Sequence, residues 1–198
     1  MLRTKHRMMP VALVVLSGLV LLGCEPSGSF STDPQDQKGG MNGDSNNNAD
    51  CANGPLSAPI PGCTPSPVPD SGDFRVDCVA RINQFRWDCQ CLPPLDRWSD
   101  GEACADQHAE YDVTHGYHAG FNTNICTPGG WAQNLCPDWG SEASIVDGCM
   151  QMMWDEGPGN DFDVHGHYIN MSNTGYTKVA CGIYMTDTGK FWSVQNFE

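Results

Sequence analysis

Phe74, Cys78, Ile82 and Phe85 stand at i, i+4, i+8 and i+11, which is one face of a helix, and Asp73 is placed to cap it. Leu92-Pro93-Pro94-Leu95 then breaks the chain. Ser99-Asp100-Gly101-Glu102 reads as a capping box, which predicts a second helix running to about Asp112. From His115 to Trp139 no period is visible among many Gly, Asn and Cys residues, and a long stapled loop is expected. Ser141 or Ser144 opens a third helix with Ile145, Val146, Cys149, Met152 and Met153 as its apolar stripe, and Gly157-Pro158-Gly159 ends it. The remainder alternates, predicting strands over 167–171, 179–185 and 191–197, with a tight turn at Asp187-Thr188-Gly189. Helices first and an antiparallel sheet last define an α+β fold.

The N-terminal third is patterned differently. Arg3, Lys5 and Arg7 precede an apolar run from Val11 to Leu22, too short to span a bilayer comfortably and flanked like a signal peptide. It ends Leu21-Leu22-Gly23-Cys24, which matches a bacterial lipobox apart from the large Leu22. Residues 1–23 are therefore expected to be a lipoprotein signal peptide. Cys24 becomes the lipidated N-terminus and anchors the protein to a membrane, because several acyl chains hold where one gives a marginal grip. Glu25 follows, not the aspartate that commonly retains lipoproteins at the inner membrane, which favours the outer membrane or cell surface. The rest of residues 24–72 is rich in Pro, Gly, Ser and Asn and is read as a disordered tether, with Cys51 and Cys63 forming a small clip inside it. The globular domain is then 73–198.

Charge and cysteine content narrow the function classes. The 198 residues carry a formal net charge of −14. Removing Arg3, Lys5 and Arg7 with the signal leaves seven basic against 24 acidic residues, a net of −17. That balance excludes a sequence-independent nucleic-acid binder, which needs a basic face to neutralise phosphates. Of the 11 cysteines, ten remain besides Cys24. An even number in an exported chain implies up to five disulfides. Cys89-Gln90-Cys91 is one residue too tight for a zinc knuckle, so metal ligation by thiolates is the weaker reading.

Four stretches in order carry a family resemblance. They are Arg81-Ile82-Asn83-Gln84-Phe85-Arg86 with Leu92-Pro93-Pro94-Leu95 and Trp98-Ser99; Ala105-Asp106-Gln107-His108-Ala109; Gln133-Asn134-Leu135; and Gly166-His167-Tyr168 followed by Tyr176 to Gly182. Together they resemble the CAP superfamily of cysteine-rich secretory, antigen 5 and pathogenesis-related 1 proteins, and Gly166 to Ser172 is closer to its bacterial members. The resemblance implies a three-layer α-β-α sandwich around a small antiparallel sheet. It also implies a cleft of two histidines and two acids. Carried across, these positions are His118 (with His115 as its rival), His167, Glu156 and, where the family has a glutamate, Gln133. An amide keeps the hydrogen-bonding shape but loses the charge and cannot act as a base.

Two neutral imidazoles suit a divalent ion, zinc first, with water at the open positions and a carboxylate to orient it. The alternative is a satisfied polar network bracing helix against sheet. His165 would share a strand face with His167, His108 reads as structural, and Trp131 and Trp139 are placed to wall the cleft or pack over disulfides. Three functions follow: a surface-tethered module binding a divalent ion and a lipid, sterol or polysaccharide; a metal-dependent hydrolase with Glu156 as base; or a structural or defensive exported domain. No nucleophile triad is evident, which places the binding module first.

Overall fold

A computed structural model describes residues 51–198; the expected signal peptide, Cys24 and the first part of the expected tether lie outside them. The first helix, α1 (Phe74–Gln84), forms as its stripe predicts, and the Asp73 side chain accepts from the Arg75 amide at 2.9 Å. It runs into a π-helical turn, Phe85–Cys89. After the Pro-Pro break come β1 (Asp96–Arg97) and the long α2 (Ser99–His115). The capping box expected at Ser99 is not made. Trp98 occupies the N-cap without a side-chain bond, and Glu102 instead binds Arg97 through two hydrogen bonds of 2.5 and 3.1 Å. The short α3 (Ala119–Asn122) follows, then β2 (Ala132–Trp139), the turn α4 (Glu142–Ser144), a π-helical turn and α5 (Met150–Asp155). Ser141 opens that stretch by a reciprocal cap with Ser144. The chain ends with α6 (Phe162–Ser172), β3 (Lys178–Met185) and β4 (Phe191–Phe197).

The sheet order is β1-β3-β4-β2. It is mixed, not purely antiparallel as expected, because the two-residue β1 pairs parallel with β3 while β3–β4 and β4–β2 are antiparallel. Alternate residues of β3 feed two cores. Val179 and Cys181 join Ile82, Phe85, Met150, Trp154 and Met171 on one side, whereas Ala180 joins Trp98, Ala105, Ala109 and Trp192 on the other. This is the period of two that a sheet covered on both faces requires. Helix α2 lies so close to β3 that a Cβ at Gly182 would sit 2.2 Å from the Ala105 carbonyl carbon, so only glycine fits there. Among the described residues no helix is long and apolar enough to cross a membrane.

Three further expectations are corrected. The stretch 167–171 lies in α6, not in a strand: Asp161 caps it through the Asp163 amide at 3.1 Å, and Gly166 and Asn170, one turn apart, are buried together. The loop expected up to Trp139 contains β2, whose continuous burial from Gln133 to Cys136 hides the alternation that would have revealed it. The clip between Cys51 and Cys63 does not exist. Cys51 bonds Cys91 and Cys63 bonds Cys89, so the chain from Cys51 on is strapped to the domain. Arg81 adds to that strap by donating to the carbonyls of Pro65 (3.0 Å) and Ser66 (3.1 Å). Cys78–Cys181, Cys104–Cys126 and Cys136–Cys149 complete five disulfides, which pair all ten described cysteines as predicted.

Candidate metal centre

A cleft of about 250 Å³ is lined by His118, Gln133, Asn134, Glu156, Phe162, Asp163, Gly166, His167 and Asn170. It gathers all four predicted cleft residues from separate elements. His118 stands at the N-cap of α3 with a left-handed backbone, φ 59°. The fully buried Asp112 of α2 holds that turn: its carboxylate accepts the His118 amide at 3.0 Å and the Gly120 amide at 2.8 Å. His115 does not enter. It is exposed at the end of α2, its ring stacked on Tyr111 with centroids 3.7 Å apart.

Gln133 and Asn134 are successive residues of β2, so their side chains leave opposite faces of the sheet. The Gln133 Oε1 accepts from His118 Nδ1 at 2.8 Å. Asn134 reaches the α6 side, where its Nδ2 donates to the His167 carbonyl at 3.1 Å and its Oδ1 accepts from Asn170 Nδ2 at 2.9 Å. One strand thus fixes both histidine-bearing segments.

Glu156 ends α5, and both of its oxygens are engaged. Oε2 accepts the His167 amide at 2.9 Å and the Tyr168 amide at 3.3 Å, and Oε1 accepts from His167 Nδ1. His165 stands behind this pair, with its Nδ1 2.7 Å from the Glu156 carbonyl and 3.0 Å from that of Gly157. It braces the carboxylate's backbone and is not among the cleft-lining residues.

The acceptors settle the tautomers of the two cleft histidines. A carboxylate and an amide oxygen can only accept, so each Nδ1 carries a proton, and in a neutral ring the lone pair is then on Nε2. A histidine held from behind at one nitrogen, with the other free, is the arrangement found at metal ligands. Gln133 and Glu156 therefore orient the imidazoles from behind.

His108, Asp112, Asn170 and Asn196 also support the site. His108, 1% exposed, lies behind Gln133 and is indeed structural. Its Nδ1 is 3.1 Å from Gln133 Nε2 and 3.2 Å from Asn196 Nδ2. Burial lowers its pKa, outweighing the attraction of Asp112. An Asn196 that offered its oxygen would raise that value, but the oxygen is already taken by Gln133 Nε2 at 2.9 Å. Among the described residues, the group of three His, Cys or acid side chains whose ligand atoms converge closely enough to surround one ion is Cys104, His108 and Cys126. Their two sulfurs are joined in a disulfide and have no thiolate to offer, so that cluster is not a metal site in this oxidised form. Trp131 is 79% exposed and Trp139 packs over Gly148 beside Cys136–Cys149; neither lines the cleft. Met150, Met153 and Trp154 are core, whereas Met152, expected in the stripe, is exposed.

Residues 79–197 match the profile of the cysteine-rich secretory protein family, CAP, and the chain belongs to that family. Among solved structures it is similar to BmVAL-1, with 18% identity and a TM-score of 0.48 over 69% of this chain and 81% of that one. It is also similar to Na-ASP-1, with 18% identity and a TM-score of 0.46 over 73% of this chain and 43% of that one. No curated protein matches.

Proposed function

We propose that this CAP domain is a binding module whose cleft holds one divalent ion, zinc by ligand preference, through the Nε2 atoms of His118 and His167. The supporting observation is that both imidazoles are clamped at Nδ1 by an acceptor while both rings line one cleft. Two protein nitrogens leave positions for water and for an oxygen-bearing ligand. When bound, the ion would supply a Lewis acid to that ligand. Glu156 weighs against the hydrolase reading, because both of its oxygens are committed to His167 and Tyr168. Asn134, Asn170 and the Asp163 carboxylate give the rest of the cleft polar groups, and Phe162 and Gly166 complete its wall, a lining that suits a polysaccharide better than an acyl chain or a sterol.

The same reading places the domain outside the cytoplasm, tethered through lipidated Cys24 to the bacterial outer membrane or cell surface. Five disulfides support an oxidising compartment. Mass spectrometry of the mature protein should find its N-terminus at an acylated Cys24; cleavage elsewhere, or an unmodified cysteine, contradicts the anchor. Zinc calorimetry at neutral pH tests the cleft. Wild type should take up one ion and His118→Ala or His167→Ala should lose it with the fold intact. Equal uptake by all three leaves the bracing network as the correct reading.

A further inference from the structure

The tautomer of His118 is set from far behind the cleft, and this inference rests on the metal reading only for its functional consequence. Begin at the Cys104–Cys126 disulfide. His108 Nε2 lies 3.6 Å from Cys104 Sγ, and a disulfide sulfur has no proton to give. The ring N–H therefore points to the sulfur, and His108 Nδ1 is a bare lone pair. That lone pair faces the Gln133 and Asn196 amides at 3.1 and 3.2 Å, so both must present nitrogen. Asn196 Oδ1 then receives the second Gln133 N–H at 2.9 Å. With its nitrogen fixed inward, Gln133 has only its oxygen to turn to His118, and His118 Nδ1 must carry the proton. The three connecting side chains, His108, Gln133 and Asn196, are 1%, 7% and 0% exposed, so water cannot substitute for a wrongly turned amide.

We infer that His108 and Asn196 are positioning residues: with the Cys104–Cys126 disulfide as a proton-less end point, they fix the direction of the Gln133 amide and so leave His118 Nε2 free to ligate. The chain also gives a reason for glutamine at 133. A carboxylate there would set its second oxygen against Asn196 Oδ1 and the His108 lone pair, an acceptor facing two acceptors. The amide supplies the two N–H groups those atoms need.

Without the His108 lone pair the direction is lost. Gln133 and Asn196 can then turn together, preserving their mutual hydrogen bond, and Gln133 presents N–H to His118. The His118 proton moves to Nε2, where it blocks a ligand. Nitrogen-detected NMR of the metal-free protein, at mildly alkaline pH where imidazoles are neutral, reads this directly. In wild type His118 should be protonated at Nδ1 and His108 at Nε2. His108→Phe, which keeps a flat ring at that place, should show both His118 tautomers, and His108→Gln, which returns an acceptor, should restore the single one. Equal tautomer populations would raise the apparent zinc Kd about twofold, since only half the molecules are competent.

Wild-type His118 protonated at Nε2 overturns the inference, as does an unchanged His118 tautomer in folded His108→Phe. If the tautomers are as stated but wild type binds no zinc, the positioning chain stands and the metal reading fails. If zinc binds while His118 carries its proton on Nε2, the positioning chain fails.

Discussion

Arg86 carries a charge into the core with only carbonyls to meet it. The side chain is 0% exposed. Its Nε donates to the Pro93 carbonyl at 2.8 Å, and its Nη1 donates to those of Met171 (2.7 Å) and Asn173 (3.1 Å). It thereby ties the Pro-Pro break to the C-terminal end of α6, the helix that carries His167. Three charge-assisted bonds contribute roughly 4–9 kcal/mol together. Burial pushes the guanidinium pKa down to about 10, and at 1.36 kcal/mol per pKa unit that corresponds to a penalty of about 3 kcal/mol. Methionine would remove the penalty but strand three carbonyls, each costing about 1–3 kcal/mol. Arg86→Met should therefore lose about 3 kcal/mol, a fall in Tm of about 6–12 °C for a chain of this size. Arg86→Lys should fall between the two, because one ammonium cannot reproduce the planar fork that reaches both segments. Urea and thermal unfolding followed by circular dichroism measure both variants. A loss under about 1 kcal/mol in Arg86→Met would show that the carbonyls find water and that the clamp is not what joins these segments.

The disulfides should rank by the loop each closes. Replacing Cys78–Cys181, at a separation of 103, should cost about 4.7 kcal/mol, against about 2.9 kcal/mol for Cys136–Cys149 at 13. Paired serine variants compared by denaturant unfolding check the order, and its reversal would contradict the chain-entropy account. Stability should also fall with acid through His108. Its folded pKa lies below the ordinary 6.5 because of burial, so the unfolded chain binds the proton more tightly. The loss begins as the pH drops below about 6.5 and levels off below the folded value. His108→Gln should flatten that part of a Tm-versus-pH curve, and an unchanged slope would place the acid sensitivity elsewhere. Uptake of zinc should also weaken on acidification, since a metal–imidazole bond needs a neutral ring; pH-independent calorimetry would argue against histidine ligands.

Local signals carried much of this fold because the elements that announce themselves have one polar side or a clear cap. The α1 stripe, the Asp73 and Ser141 caps and the β3–β4 hairpin are of that kind. Strand β2 was not legible because helices cover both of its faces, and it shows neither alternation nor a β-branched run. Segment 167–171 misled for the opposite reason: His167, Ile169 and Met171 alternate with their neighbours by chance, while a cap outside that window, Asp161, starts the helix. The four cleft positions were found only through family resemblance, and it placed them in one cleft. Their roles were not readable, since whether Gln133 and Glu156 face the cleft or the back of a histidine depends on which sheet face and helix end they leave from. His108, Asp112 and Asn196 carry no sequence signal of their own; packing brings His108 of α2 and Asn196 of β4 behind the Gln133 amide, while Asp112, one turn along α2, holds the His118 turn.

The most direct test of the metal cleft is an anomalous difference map from crystals soaked in zinc. One peak should lie between His118 and His167, about 2.0–2.1 Å from the Nε2 atom of each, with Gln133 and Glu156 still bonded to the two Nδ1 atoms. A peak at any other group with none in the cleft, or zinc bound through Nδ1 with the Gln133 or Glu156 contact broken, would contradict the account.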